Sequence, residues 1–242
     1  MRVVAVARAR KALGKRRFVR RRRQRQRRRH GLVTPFLFLA VQSNGQDRII
    51  QDREVRLILQ EVELSSHRGS IAFKTRWAEG PLDLLRELRR LKPTVVHLSG
   101  HSESSGLRFQ DVEGRTHLVT ADALGGTFSS IGPSVKLLVL RATYDEKEAE
   151  ALRAYVDCVV WIGGGIDDHS ARSFEIGFYG ALLEHESVAA AHKQGEAAIG
   201  LDGQLDPDQL KLVIHDQLKL LIRDGVDARK LVLVGDAPPE QA

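Results

Sequence analysis

The chain has one cysteine, one methionine and only 5% aromatic residues in 242 positions. A single thiol, Cys158, excludes an intramolecular disulfide and favours a reducing compartment, so a cytoplasmic location is the expectation. No C-x-x-C or H-E-x-x-H spacing occurs and the nine His are scattered, so neither a metal nor another cofactor is expected. Long apolar runs are missing as well. The longest, Pro35 to Val41 and Val156 to Ile162, fall well short of the roughly 18–20 residues that cross a bilayer, and no membrane span is expected. Acidic side chains are missing from residues 1–30, which hold 15 of the 38 Lys and Arg. The chain as a whole carries +7, yet residues 31–242 carry 23 basic and 31 acidic side chains, a net −8.

The basic character is therefore a property of the N-terminal stretch. Self-repulsion and the lack of apolar periodicity predict that residues 1–31 are a disordered Arg-rich tail. Arginine runs bind phosphate and release counterions, which makes nucleic acid or an anionic membrane surface a partner for this segment. The stretch also has the acid-free look of a transit segment, without the Ser content. Residues 32–236 read as one domain, 42% hydrophobic content over the whole chain being enough for one sizeable core. Residues 237–242, Pro-rich, are expected to be disordered.

From Pro35 onward apolar runs alternate with amphipathic segments, the pattern of an α/β sheet. PFLFLAV is nearly continuous, as a strand covered on both faces would be. Val55, Leu57, Ile58, Leu59 and Val62 recur at helical spacing. Ser70 to Trp77 alternates as a strand, and Pro81 opens a helix that Pro93 stops. Thr94 to Leu98 reads as a buried strand, and residues 107–109 with 116–119 as a small hairpin. Thr120 caps a short helix. Val135 to Leu140 is a strand, Glu146 to Ala154 a helix, and Cys158 to Ile162 a strand ending in three glycines. Helices are expected over Asp168–Leu183, Ser187–Ile199 and Asp208–Asp224, then a last strand over Lys230–Val234.

In open α/β sheets functional groups gather at the carboxyl ends of parallel strands. Two such ends stand out: VVHLSGHS, Val95 to Ser102, and KLLVLRATYD, Lys136 to Asp145. A strand running into Gly-His, then some forty residues on a strand running into a small residue and a hydroxyl, is the layout of a Cys-His hydrolase with the Cys changed.

At these residues the chain resembles the CHAT domains, bacterial relatives of caspases and separases, whose pattern runs strand-x-SGHG-x-x-x-G and later strand-LNACYS. Here Leu98-Ser99-Gly100-His101-Ser102, closed by Gly106, matches the first part, and Leu140-Arg141-Ala142-Thr143-Tyr144-Asp145 the second. The flanking segments are similar too, over about residues 34–200. The resemblance implies a caspase-like α/β fold, mostly parallel and sandwiched by helices. It implies that His101 stands at the general base and acid position, that the backbone N–H of Ser102 stands at the oxyanion position, and that Thr143 stands where the nucleophilic Cys belongs. Arg141 and Asp145 depart from the family's Asn and Ser on either side of it.

The substitution at 143 decides the expected activity. A Cys thiol is readily poised as a thiolate beside a histidine. A Thr hydroxyl is a far weaker acid, and working Thr nucleophiles usually sit at a chain N-terminus with their own amine as base. The expectation is an inactive pseudoprotease of the cysteine-peptidase fold that binds a peptide or protein partner, by analogy in bacterial defence or cell-death signalling. Two other readings stay open: a Thr143/His101 peptidase, and a nucleic-acid-associated protein working through its tail.

Other features read as structural. Cys158 is expected in the core, and His97 as a hydrogen-bonded histidine facing a helix. Gly163-Gly164-Gly165 lacks the residues of a P-loop, and the resemblance places it beside the substrate groove, so Gly163 and Gly164 join Arg141 and Asp145 as candidate groove residues. Asp167-Asp168 is expected to cap the next helix. Arg141 either pairs with Asp145 or points to solvent. The stripe Leu212, Ile214, Leu218, Leu221 and Ile222 reads as ordinary helix packing.

Overall fold

The computed structural model describes residues 33–41, 45–100, 102–103, 106–110, 113–141 and 145–235. Six strands form the main sheet: β1 (Thr34–Val41), β2 (Ile71–Ala78), β3 (Val95–Ser99), β7 (Leu137–Arg141), β8 (Cys158–Ile162) and β9 (Leu218–Ile222), in the order β2-β1-β3-β7-β8-β9. All neighbours pair in parallel except β8 and β9. A small antiparallel sheet follows β3, made of β4 (Ser102–Glu103), β5 (Gly106–Gln110) and β6 (Thr116–Val119). The helices are α1 (Gly45–Leu64), α2 (Pro81–Leu91), α3 (Ala121–Ser130), α4 (Glu146–Leu152), α5 (Asp168–Leu183), α6 (Val188–Asp202) and α7 (Pro207–Gln217).

Strand periodicity sorts the core into two layers. Phe36, Phe38, Val95, Leu137, Val139 and Val160 pack with Val55 and Ile58 of α1, Phe174 and Phe178 of α5 and Ala191 of α6. Leu37, Leu39, Val96, Leu98, Leu138 and Leu140 pack on the other face with Leu84 and Leu88 of α2, Leu124 and Phe128 of α3 and Leu152 of α4. Burying each of these large side chains contributes about 1.5–3 kcal/mol against chain entropy. The parallel β1–β3–β7–β8 pairs bring the carboxyl ends of these strands to one edge, with Ala40, Ser99, Arg141 and Ile162 in register.

Side-chain caps start several of the helices, two of them, Thr120 and Asp167, as the sequence leads one to expect. Thr120 accepts from the Ala123 N–H to start α3. Asp145 and Glu148 form a capping box at α4, and Asp167 accepts from the N–H groups of His169 and Ser170 at α5. Helices α5 and α6 meet through Gly177 and Gly195. A Cβ at 177 would lie 2.4 Å from the carbonyl oxygen of Gln194, and one at 195 would lie 2.7 Å from the Phe174 ring.

Two expectations fail in the C-terminal part. The helix expected over Asp208–Asp224 ends at Gln217, and Leu218 to Ile222 pair antiparallel with Cys158 to Ile162. Leu218, Leu221 and Ile222 therefore belong to an edge strand, not to a helical stripe with Leu212 and Ile214. The reason is the open edge of β8: a strand there pairs its backbone groups, and Leu220 and Leu221 pack onto opposite faces of the sheet, which one helix could not do. With that edge taken, Lys230–Val234 forms no strand and makes only a single bridge between Val232 and Ser187. Leu233 meets the start of β1 instead, accepting from the Thr34 hydroxyl at 2.8 Å. The tail (residues 1–31) and residues 237–242 lie outside the described residues.

Candidate functional site

The carboxyl edge of β3 and β7 is where the sequence places its chemistry, and its described residues form a buried polar network. Period two puts Val95, His97 and Ser99 on the α1/α5 face of β3, and Leu137, Val139 and Arg141 on that face of β7. Toward the carboxyl ends the apolar residues give way to His97, Ser99 and Arg141. Helix α1 answers with Gln51 and Glu54, which share the inward stripe with Ile58. Helix α5 answers with Asp168, Glu175 and Tyr179. The side chains of Glu54 and Glu175 are fully buried, and His97 is 2% exposed.

The contacts are specific. The Ser99 hydroxyl donates to Glu54 Oε2 at 2.7 Å, and Gln51 Nε2 donates to the carbonyls of Val41 and Ser99 at 3.0 Å each. His97 Nε2 lies 2.7 Å from Glu54 Oε1, close enough for an ion pair but off the line of a hydrogen bond. A hydrogen bond of 2.7 Å joins the other ring nitrogen, Nδ1, to the Tyr179 hydroxyl. Arg141 Nη1 stands 3.6 Å from Glu54 Oε1 and 3.4 Å from Glu175 Oε1, and Nη2 lies 3.0 Å from Asp168 Oδ1.

This arrangement separates the two buried carboxyls. Burial alone would push Glu54 up, but His97 and Arg141 outweigh it and, with the Ser99 hydroxyl, hold it well below the usual carboxylate range. Glu175 goes the other way: burial, then the negative charge of Glu54, push it far above the usual value against the pull of Arg141. The pair is thus driven apart, Glu54 toward the anion and Glu175 toward the neutral acid. Burial would weaken the Arg141 charge, but the carboxyl groups of Glu175, Glu54 and Asp168 hold its proton more firmly than usual.

Glu54, His97 and Glu175 each bring one atom of metal-ligating type within 4.8 Å of the others. No local pattern announces this cluster, because 54, 97 and 175 share no short motif. The Arg141 guanidinium stands beside both carboxyls and supplies the positive charge that a metal would bring.

Of the site residues expected from the sequence, His101 and Thr143 lie outside the described residues, and Ser102 is described only as part of β4, opposite Leu107. Arg141 takes neither course anticipated for it. It does not pair with Asp145, which is exposed and occupied in capping α4, and it does not point to solvent, its side chain being only 14% exposed. A cation on the inward face next to two acids is drawn to the interior charge. Gly163 and Gly165 are held to the α7–β9 junction, Gly163 N–H donating to the Gln217 carbonyl at 2.8 Å and Gly165 N–H to its side-chain oxygen at 2.9 Å. Gly163 is buried and Gly164 exposed.

Cys158 is at the other end of the sheet. It starts β8, opposite Leu137, four residues below the carboxyl edge, or about 13 Å along a strand. Burial, and after it the charge of Asp157, push its thiol up to about 12 against the opposing pull of Arg223.

With this geometry in view, the fold is similar to solved cysteine proteases. A secreted C11 cysteine protease from Bacteroides thetaiotaomicron, in complex with an irreversible peptide inhibitor, superposes with a TM-score of 0.54 at 11% identity, over 73% of this chain and 63% of that one. The Arg specific cysteine proteinase gingipain R gives 0.51 at 11% identity, over 86% of this chain and 49% of that one. The Drosophila initiator caspase Dronc gives 0.49 at 11% identity, over 84% of each chain. This chain spans less than two thirds of the length of the first two. No protein-family model and no curated protein matches the sequence. The likeness shows a caspase-like α/β fold. No helix among the described residues is long and apolar enough to cross a membrane.

Proposed function

We propose that the chain is a CHAT-type pseudoprotease: a caspase-like domain that binds a peptide or protein partner at the carboxyl edge of its sheet and does not cleave it. One observation carries the reading. The fold is that of cysteine proteases, yet the only cysteine, Cys158, is buried at the opposite end of the sheet with its thiol pushed up to about 12. The position of the nucleophile in the resembled pattern holds Thr143, whose hydroxyl needs an aligned base to react at all. The groove is assigned to Arg141, Asp145, Gly163 and Gly164, and the resemblance assigns the general base to His101 and the oxyanion N–H to Ser102. By analogy the partner belongs to a bacterial defence or cell-death system.

The decisive experiment offers a diverse peptide library to the natural chain and to its Thr143→Ala and Thr143→Cys variants. Cleavage by the Cys variant alone supports the proposal, since the groove and His101 then lack only the thiol. Cleavage by the natural chain that Thr143→Ala abolishes overturns it in favour of a Thr143/His101 peptidase.

A second reading rests on the charge asymmetry between the tail and the remainder of the chain, in which residues 1–31 recruit nucleic acid independently of the groove.

A further inference from the structure

The Glu54 side chain is fully buried, yet it sits among residues that end at the edge where function is expected. It accepts from Ser99 at the end of β3 and stands 3.6 Å from Arg141 at the end of β7. One turn earlier on the same helix, Gln51 bonds the carbonyls of Ser99 and of Val41 at the end of β1. His97, one pleat below Ser99, closes against Glu54 from beneath.

An ionised carboxylate is costly to keep in a core, and packing alone would be served by Leu or Met. Glu54 also faces inward in line with Ile58, which packs in the apolar core. What the carboxylate provides is registry. It joins α1 to two strand ends whose own backbone ladder stops at Ser99 and Arg141. His101 comes two residues after Ser99, and Thr143 two residues after Arg141.

We infer that Glu54 is a positioning residue for the candidate site, a buried carboxylate that sets from inside the helix layer the relative placement of the strand ends leading to His101 and Thr143. This rests on the reading of His101 and Thr143 as a pair, and it names the residue that aligns them. Glu54 itself touches no substrate; it acts through Ser99 and Arg141.

The test uses the full chain carrying Thr143→Cys and follows the rate of iodoacetamide alkylation against pH. A cysteine beside an aligned histidine titrates below the ordinary thiol value of about 8.5. Cys158, buried and pushed up to about 12, supplies a background that the natural chain measures directly. His101→Ala in this setting reports whether the pair exists, by raising the alkylation midpoint. Glu54→Gln keeps the side-chain shape and an acceptor for Ser99, and is expected to raise the midpoint by about one pH unit, close to the His101→Ala value. Electrostatics alone gives no rise, because loss of the negative charge would lower a nearby thiol and its transfer to Glu175 would leave the thiol nearly unchanged, so a rise reports lost alignment.

Ser99→Ala cuts the same tie without changing the charge and guards against a Glu54 variant that fails to fold; a smaller rise is expected from it. If His101→Ala raises the midpoint while Glu54→Gln and Ser99→Ala leave it unchanged or lower it, the positioning role is overturned and the pair stands. If His101→Ala itself moves nothing, the pairing falls and the role of Glu54 falls with it.

Discussion

Glu54 and Glu175 lie together in the interior, both side chains fully buried beside Arg141. Their surroundings drive Glu54 toward the anion and Glu175 toward the neutral acid, a pair expected to share one negative charge. Each can stand in for the other. When Glu54 becomes Gln, the repulsion that keeps Glu175 protonated is gone, and Glu175 ionises beside Arg141. When Glu175 becomes Gln, a neutral acid is exchanged for a neutral amide. Either single variant is therefore expected to lose no more than about 1 kcal/mol of stability. The double variant leaves the buried guanidinium with only Asp168, which is partly solvent-exposed, and is expected to lose roughly 3 kcal/mol. Urea unfolding of the four proteins measures this, and additive losses would refute the shared charge.

The same pair sets a pH dependence with two opposite arms. Glu54 is held below the unfolded value of about 4.3. Its contribution is present above that pH and is lost as acid titrates it in the folded state. Glu175 is held above it, so from about pH 4.3 upward the unfolded chain releases a proton that the folded chain keeps, and stability falls. Glu175→Gln should therefore gain on the natural chain as pH rises from 4 to 8, while the natural chain should lose stability as pH falls below 4. Melting temperatures across pH 3–8 test both signs.

Close packing of α5 on α6 gives a test independent of charge. Gly177→Ala would drive a methyl into the backbone of α6, where no rotamer change relieves it, and Gly195→Ala would press on the Phe174 ring and carbonyl. Each is expected to cost about 1–3 kcal/mol, the former more. Gly126→Ala in α3 meets nothing within 4 Å and should stabilise by about 0.5–1 kcal/mol through helix propensity. Thermal unfolding should separate these variants in opposite directions.

Residues 1–30 hold 15 basic and no acidic side chains, whereas the rest of the chain is net −8. Binding to nucleic acid, if measured by fluorescence anisotropy, should weaken steeply with salt and disappear when these residues are deleted. Peptide binding at the groove should survive the deletion. Loss of both together would contradict the assignment of the two activities to separate parts of the chain.

Much of the fold was legible because the core is periodic. The strand over Cys158–Ile162 and the helix over Asp168–Leu183 coincide with the sequence reading, and Thr120 and Asp167 cap the helices they were expected to cap. Leu218 to Ile222 was misread because a short apolar run fits either period, and only the unpaired edge of β8 made it a strand. The network at the candidate site was hidden for a related reason. A Glu at position 54 or 175 reads as an ordinary polar residue of a helix, although each stands on the inward face of its helix with apolar residues such as Ile58 and Phe178. His97 was read correctly as a hydrogen-bonded histidine facing a helix, but its partners, Tyr179 and Glu54, were not visible from its neighbours.

The sequence by itself determined the alternation of strands and helices, the caps, the single thiol and the concentration of basic charge at one end, because each follows from spacing or counting along the chain. Tertiary structure decided the fate of the charges. It turned Arg141 inward, joined it to Glu54 and Glu175 from two different helices, and left Cys158 at the far end of the sheet. These outcomes depend on which residues share a low-dielectric interior, and burial and charge pairing of that kind arise only when segments distant in the chain are packed together.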